Sequence, residues 1–266
     1  MTRLPAACLL ILLVAACARV HAPPFATKPY EPFNRADTVA IALREWRLFD
    51  SPIDDASPIG RPLPSDPAAK PERQPGLWQR VGEYWWIGQD PGAAEAAWTG
   101  KHDGDGHVFP FLDDGQYAWS AAFISYVMRI AGAGDRFPYA PNHATYVNAA
   151  AAGRSPILRA HSPESYAPKP GDLICRGRFE ARSLRFVDLP TRHLWPGHCA
   201  IVVAIEGDEL SIIGGNVDDA VTLTHVPVTA TGMLATPDGT ILDPRYPWFV
   251  VLEVLYDAEA EPAADR

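Results

Sequence analysis

The 266-residue chain has few cysteines, no surplus of basic charge and no internal repeat. Lys and Arg number 23 against 32 Asp and Glu, a formal net charge of −9. A general nucleic-acid binder uses basic residues to displace counterions from phosphate, so this balance argues against one. The sequence also lacks the Gly-x-Ser-x-Gly elbow, which argues against an α/β-hydrolase. With 47% hydrophobic and 21% charged residues, the composition sets aside a disordered chain and a multispan membrane protein. Proline is the excess: 27 in all, 11 of them between residues 20 and 76. Part of the length is therefore expected to lie outside any packed domain.

The longest apolar run, Pro5 to Ala16, is too short to cross a bilayer. It follows Arg3 and ends Val14-Ala15-Ala16-Cys17. Small residues before a cysteine suit a processing peptidase. The segment resembles a bacterial lipoprotein signal. That resemblance implies removal of residues 1–16, lipidation of Cys17 and a membrane anchor; Ala18 in place of Asp implies the inner leaflet of the outer membrane, facing the periplasm. Loss of Cys8 and lipidation of Cys17 leave Cys175 and Cys199. They are either one disulfide or two buried small hydrophobes, since both lie in strand-like runs.

Residues 17–35 are expected to be a tether. Residues 36–49 have Val39, Ala42, Leu43 and Trp46 at helical spacing, with Asn34 or Asp37 as cap. A proline-rich loop fills the rest of 36–76. The spacing predicts helices over 77–87, 119–131 and 142–152, the second with Ser120, Phe123, Ile124, Val127 and Ala131 on one face. After Pro170-Gly171 the pattern becomes β-prone, at 172–175, 199–205, 210–213, 221–226 and 248–255. Glu206-Gly207-Asp208 reads as a hairpin turn. Helices first and antiparallel strands afterwards predict an α+β domain over 77–256, with a frayed tail at 257–266.

Three segments carry the chemistry. They are Tyr117-Ala118-Trp119-Ser120-Ala121-Ala122-Phe123, then Pro170-Gly171-Asp172-Leu173-Ile174 leading to Gly197-His198-Cys199, then Gly214-Gly215-Asn216. In order and spacing they resemble the papain-like CHAP and NlpC/P60 cell-wall hydrolases. The Trp-Ser-Ala-Ala-Phe helix also resembles the bacterial family DUF2272. The resemblance implies a papain-like α+β fold, with helices on a small antiparallel sheet. It implies a nucleophile at Ser120, a base at His198 and an orienting residue at Asn216; Trp119, His143 and Tyr117 are candidate substrate contacts beside them. The partner implied is peptidoglycan or its peptide stems. A helix start suits such a nucleophile, because the macrodipole and unpaired amides there stabilise developing negative charge. The departure is Ser120, where the hydrolases have Cys. A serine needs full general-base assistance.

Three outcomes are open at this point. One is an outer-membrane lipoprotein that cleaves a peptidoglycan amide by acyl transfer through Ser120. Another is a silent wall-binding or scaffolding relative; a transpeptidase or acyltransferase is a weaker third. His143 is either a second acid–base group or a capping histidine. Trp85, Trp86, Trp98 and Trp119 are either a sugar-stacking wall or core. His102, Asp103, Asp105 and His107 lack the full calcium-loop pattern and are expected to form a turn. His193 and His198 lack further ligands at zinc-site spacing, so no metal and no cofactor is expected.

Overall fold

A computed structural model describes residues 32–56, 66–90, 92–110 and 117–257. The signal segment 1–16, Cys17, most of the tether, part of the proline-rich loop and all but the first residue of the tail lie outside the described residues. Four α-helices precede or flank a six-stranded antiparallel sheet, so the class is α+β. The helices are α1 (Arg35–Leu48), α2 (Leu77–Gly88), α3 (Ser120–Ile130) and α4 (His143–Ala151). The strands are β1 (Leu158–His161), β2 (Leu173–Gly177), β3 (Gly197–Glu206), β4 (Glu209–Val217), β5 (Ala220–Pro227) and β6 (Trp248–Val254). Their order across the sheet is β1-β6-β2-β3-β4-β5.

Strand alternation divides the core in two. Cys175, Cys199, Ile201, Ile213 and Val250 face the helices, whereas Ile174, Ala200, Val202, Ile212 and Val251 face the other way. That second face is covered by Val228, Leu234 and Tyr246 from the connection between β5 and β6. Cys175 and Cys199 are directly opposite each other on β2 and β3 and form a disulfide within the helix-side core. Residues 52–54 run beside the edge strand β5, with the Asp54 amide donating to the Leu223 carbonyl at 2.8 Å. Covering an edge in this way blocks pairing with another chain.

Helix α3 is the central helix. It is buried along nearly its whole circumference, from Ser120 through Met128, rather than on one stripe. Full burial of Phe123, Ile124 and Val127 contributes about 1.5–3 kcal/mol each. Helix α1 packs its apolar residues against the core but centres its buried stripe on a neighbouring line. Thr38, Ile41, Ala42 and Glu45 are buried, while Val39, Leu43 and Trp46 are half-buried. The reason is Glu45, a fully buried carboxylate that accepts from Arg80 Nε and Nη2 at 2.6 Å each, from Arg44 Nη2 at 2.7 Å and from Tyr84 Oη at 2.8 Å. Burial opposes its charge, but these donors outweigh it and hold Glu45 below the ordinary carboxylate range.

The Pro-Gly-Asp segment proves to be a bracket. Asp172 is fully buried and accepts from the amides of Lys169 and Val254, from Tyr166 Oη and from Arg35. It thereby ties β2 to β6 and to α1. Burial raises its pKa even so.

Candidate active site

Ser120 opens α3 and His143 opens α4, so their contact joins two helix N-termini. Each has a local cause. Asn142 caps α4, its side chain accepting from the Thr145 amide at 3.0 Å. Trp119 precedes α3 without a side-chain cap, and the amides of Ser120, Ala121 and Ala122 have no acceptor among the described residues. Three free N–H groups at a helix start form an anion-holding turn.

Ser120 Oγ lies 2.6 Å from His143 Nε2. On its other side, His143 Nδ1 is hydrogen-bonded to Tyr146 Oη, one turn further along α4. If the serine hydroxyl donates to Nε2, neutral His143 carries its proton on Nδ1 and donates it to Tyr146. That tautomer is the one a serine nucleophile requires. Tyr146 was not singled out by motif; its signal was its position three residues after His143, on the same helical face. Burial drives its phenol well above the ordinary tyrosine pKa, so it stays protonated.

The structure therefore joins Ser120 to His143 and not to His198. His198 projects on the sheet face opposite Cys199, as strand alternation requires. Cys199 belongs to the helix side, so His198 sits in a row with Trp248 on β6, Arg176 on β2 and Gly214 on β4. Its ring centroid is 5.7 Å from that of His143 and 6.4 Å from that of Trp248. Neither His198 ring nitrogen has a hydrogen-bond partner among the described residues. Gly214 is what lets the ring lie flat there, since a Cβ would come within 2.7 Å of His198 Nε2.

The expected orienting role of Asn216 is not met. Its side chain makes no hydrogen bond among the described residues. The residue lies in the left-handed region, φ 56°, where the β4–β5 register shifts between Gly214 and Val217. Trp119 is also corrected as a substrate contact. It is 1% exposed and its Nε1 donates to Glu72 Oε2 at 2.6 Å. Tyr117 is half-buried and stacks on Phe109 with centroids 3.8 Å apart. The four tryptophans form no common wall: Trp85 and Trp119 are core, Trp98 is half-buried, and Trp86 is exposed. In the Gly/Asp loop, Asp103 Oδ1 accepts the amides of Asp105 and His107, both at 2.9 Å, so its carboxylate organises a turn.

The electrostatics are unusual for so apolar a setting. Ser120, His143 and His198 are each 3% exposed. Burial first, then the positive charges of Arg178 and Arg176, lowers the His143 pKa to about 3. Burial, Arg176, His143 and Arg178 push His198 well below its ordinary value. Both imidazoles are neutral at pH 7, and burial and the arginines make His143 a weak base. Arg176 and Arg178 escaped motif reading. Their signal was two arginines at the end of an otherwise apolar strand.

A family model described as an uncharacterized protein conserved in bacteria, DUF2272, matches residues 72–254, more than half of the chain. No curated protein and no solved structure matches it. The matched span includes every residue of the Ser120–His143 site.

Proposed function

The chain belongs to the DUF2272 family, and we propose, from its site geometry and its sequence motifs, that it is an envelope lipoprotein that cleaves an amide of peptidoglycan by acyl transfer. The observation that carries this reading is the 2.6 Å contact between Ser120 Oγ and His143 Nε2 at the junction of two helix N-termini. In the first step Ser120 Oγ attacks the acyl carbon while its proton passes to His143 Nε2. The amides of Ser120, Ala121 and Ala122 hold the oxyanion. The C–N bond then breaks and the leaving amine takes the proton from His143. Water, deprotonated by the same nitrogen, hydrolyses the ester on Ser120. In this scheme His143 takes the base role first assigned to His198, and Tyr146 keeps its ring oriented.

The α+β arrangement is compatible with a papain-like site: Ser120 opens a helix packed on an antiparallel sheet, and a core strand begins Gly197-His198. The disulfide suits an oxidising compartment such as the periplasm. The Cys17 anchor belongs to the proposal on sequence grounds. A second reading, a silent wall-binding or scaffolding protein, is favoured by the 3% exposure of Ser120, His143 and His198. Digestion of purified muropeptides by wild type, Ser120→Ala and His143→Gln separates the two. Acyl transfer requires wild-type cleavage and a loss of about a hundredfold or more in each variant. Absence of cleavage by wild type on every wall preparation supports the silent reading.

A further inference from the structure

Arg176 and Arg178 are two guanidinium groups beside the site with no ion pair and no side-chain hydrogen bond among the described residues. Each offers five N–H donors. Arg176 Nε is wholly buried and unsatisfied. Its guanidinium lies over Tyr246 at 4.0 Å and Trp248 at 5.5 Å, faces that accept a cation without using its donors. Arg178 lies over Phe179 at 5.1 Å. The nearby carboxylate, Asp243, is already engaged by Arg245 Nε at 2.9 Å and Trp248 Nε1 at 3.1 Å. Both residues are half-buried, and the charge of Arg178 disfavours that of Arg176 while both disfavour protonation of the two histidines. A wholly buried donor such as Arg176 Nε normally has a partner.

Arg176 is directly opposite His198 in the β2–β3 register. Arg176, His198, Gly214, Val217, Tyr246 and Trp248 line one narrow cavity, with free room of about 10 Å³. That is the scale of a single oxygen-sized group. We propose that this is an anion subsite in which Arg176 receives one oxygen of a carboxylate, and that the substrate of the Ser120 site, whose His143 ring lies 5.7 Å from that of His198, carries that carboxylate. The small room favours one oxygen of a planar carboxylate over a bulkier anion. A bound carboxylate would also offset the charges that oppose protonation of His143, so that an acidic substrate assists its own turnover. This inference rests on the acyl-transfer reading for the word substrate, but anion binding can be measured without turnover.

The test uses the full chain as Ser120→Ala, titrated by calorimetry with N-acetyl-D-alanyl-D-alanine and with its C-terminal amide. The acid should bind about ten- to a hundredfold more tightly than the amide. Arg176→Gln should remove most of that preference and leave amide binding unchanged, and Arg178→Gln, outside the cavity, should weaken the preference less. Equal affinity for acid and amide, or no measurable binding of the acid, overturns the proposal without recourse to the arginine variants. Acid preference without cleavage by wild type keeps the subsite and removes acyl transfer. Cleavage of acidic and amidated peptides at equal rates does the reverse.

Discussion

Acidification from pH 7 to pH 5 should destabilise the protein through its buried imidazoles. His143 is held to a pKa of about 3 in the fold, by burial first and then by Arg178 and Arg176. In the unfolded chain it titrates at about 6.5. Between these values the unfolded state binds the extra proton, so stability is complete above about 6.5 and falls as the pH drops. The slope approaches about 1.4 kcal/mol per pH unit for one imidazole. For His143 the integrated loss between pH 7 and pH 5 is about 2 kcal/mol. His198 is displaced in the same direction and adds to the loss. Ordinary carboxylates titrate mostly below this window. Urea unfolding followed by tryptophan fluorescence at pH 7, 6 and 5, in wild type and in His143→Gln, isolates the contribution. The variant's absolute stability is immaterial; its loss between pH 7 and pH 5 should be smaller by about 2 kcal/mol. An unchanged pH dependence in the variant would refute the reasoning. So would a His143 ring resonance titrating near 6.5 in the folded protein.

Three further perturbations probe the frame around the site. Glu45→Ala leaves Arg80 and its neighbours without their buried carboxylate and should cost about 3–5 kcal/mol in equilibrium unfolding. Gly214→Ala brings a Cβ to 2.7 Å from His198 Nε2 and 3.2 Å from Val217 Cγ2. It should cost about 1–3 kcal/mol and shift the His198 ring resonances, whereas the open turn position Gly207 has no such neighbour. Replacing Cys175 and Cys199 together by Ser opens a loop of 24-residue separation and should lower stability by about 3 kcal/mol, read from urea midpoints.

The parts of the fold legible in the sequence were those with a long or punctuated pattern. Helix α3 has a sustained apolar spacing, α4 has Asn142 as its cap, and the β3–β4 hairpin has Gly207 at its turn with φ 63°. Strand β1 escaped notice because four residues, Leu158–His161, are too few to show alternation; its partner β6 decides its state. The apolar spacing of α1 did find residues that pack on the core, but period counting left out Glu45. The distant donors on Arg80 and Tyr84, with neighbouring Arg44, make Glu45 a core residue. The site shows the same limit. Ser120 and His143 stood out as individual candidates, but motif order favoured His198 as the base. Alternation already implied that His198 and Cys199 face opposite ways. What the sequence did not contain was which of the two faces the helices, and the disulfide and core contacts of Cys199 decide that. The unpaired state of Arg176 and Arg178 is a statement about absent partners, which spacing does not encode.

The central claim is that Ser120 is a nucleophile activated by His143. Its most direct test is labelling by a small serine-directed fluorophosphonate at neutral pH, with the adduct located by peptide mass spectrometry. The account predicts a single adduct on Ser120, abolished in His143→Gln and retained in His198→Gln. No adduct on Ser120, or equal labelling of wild type and His143→Gln, would contradict it.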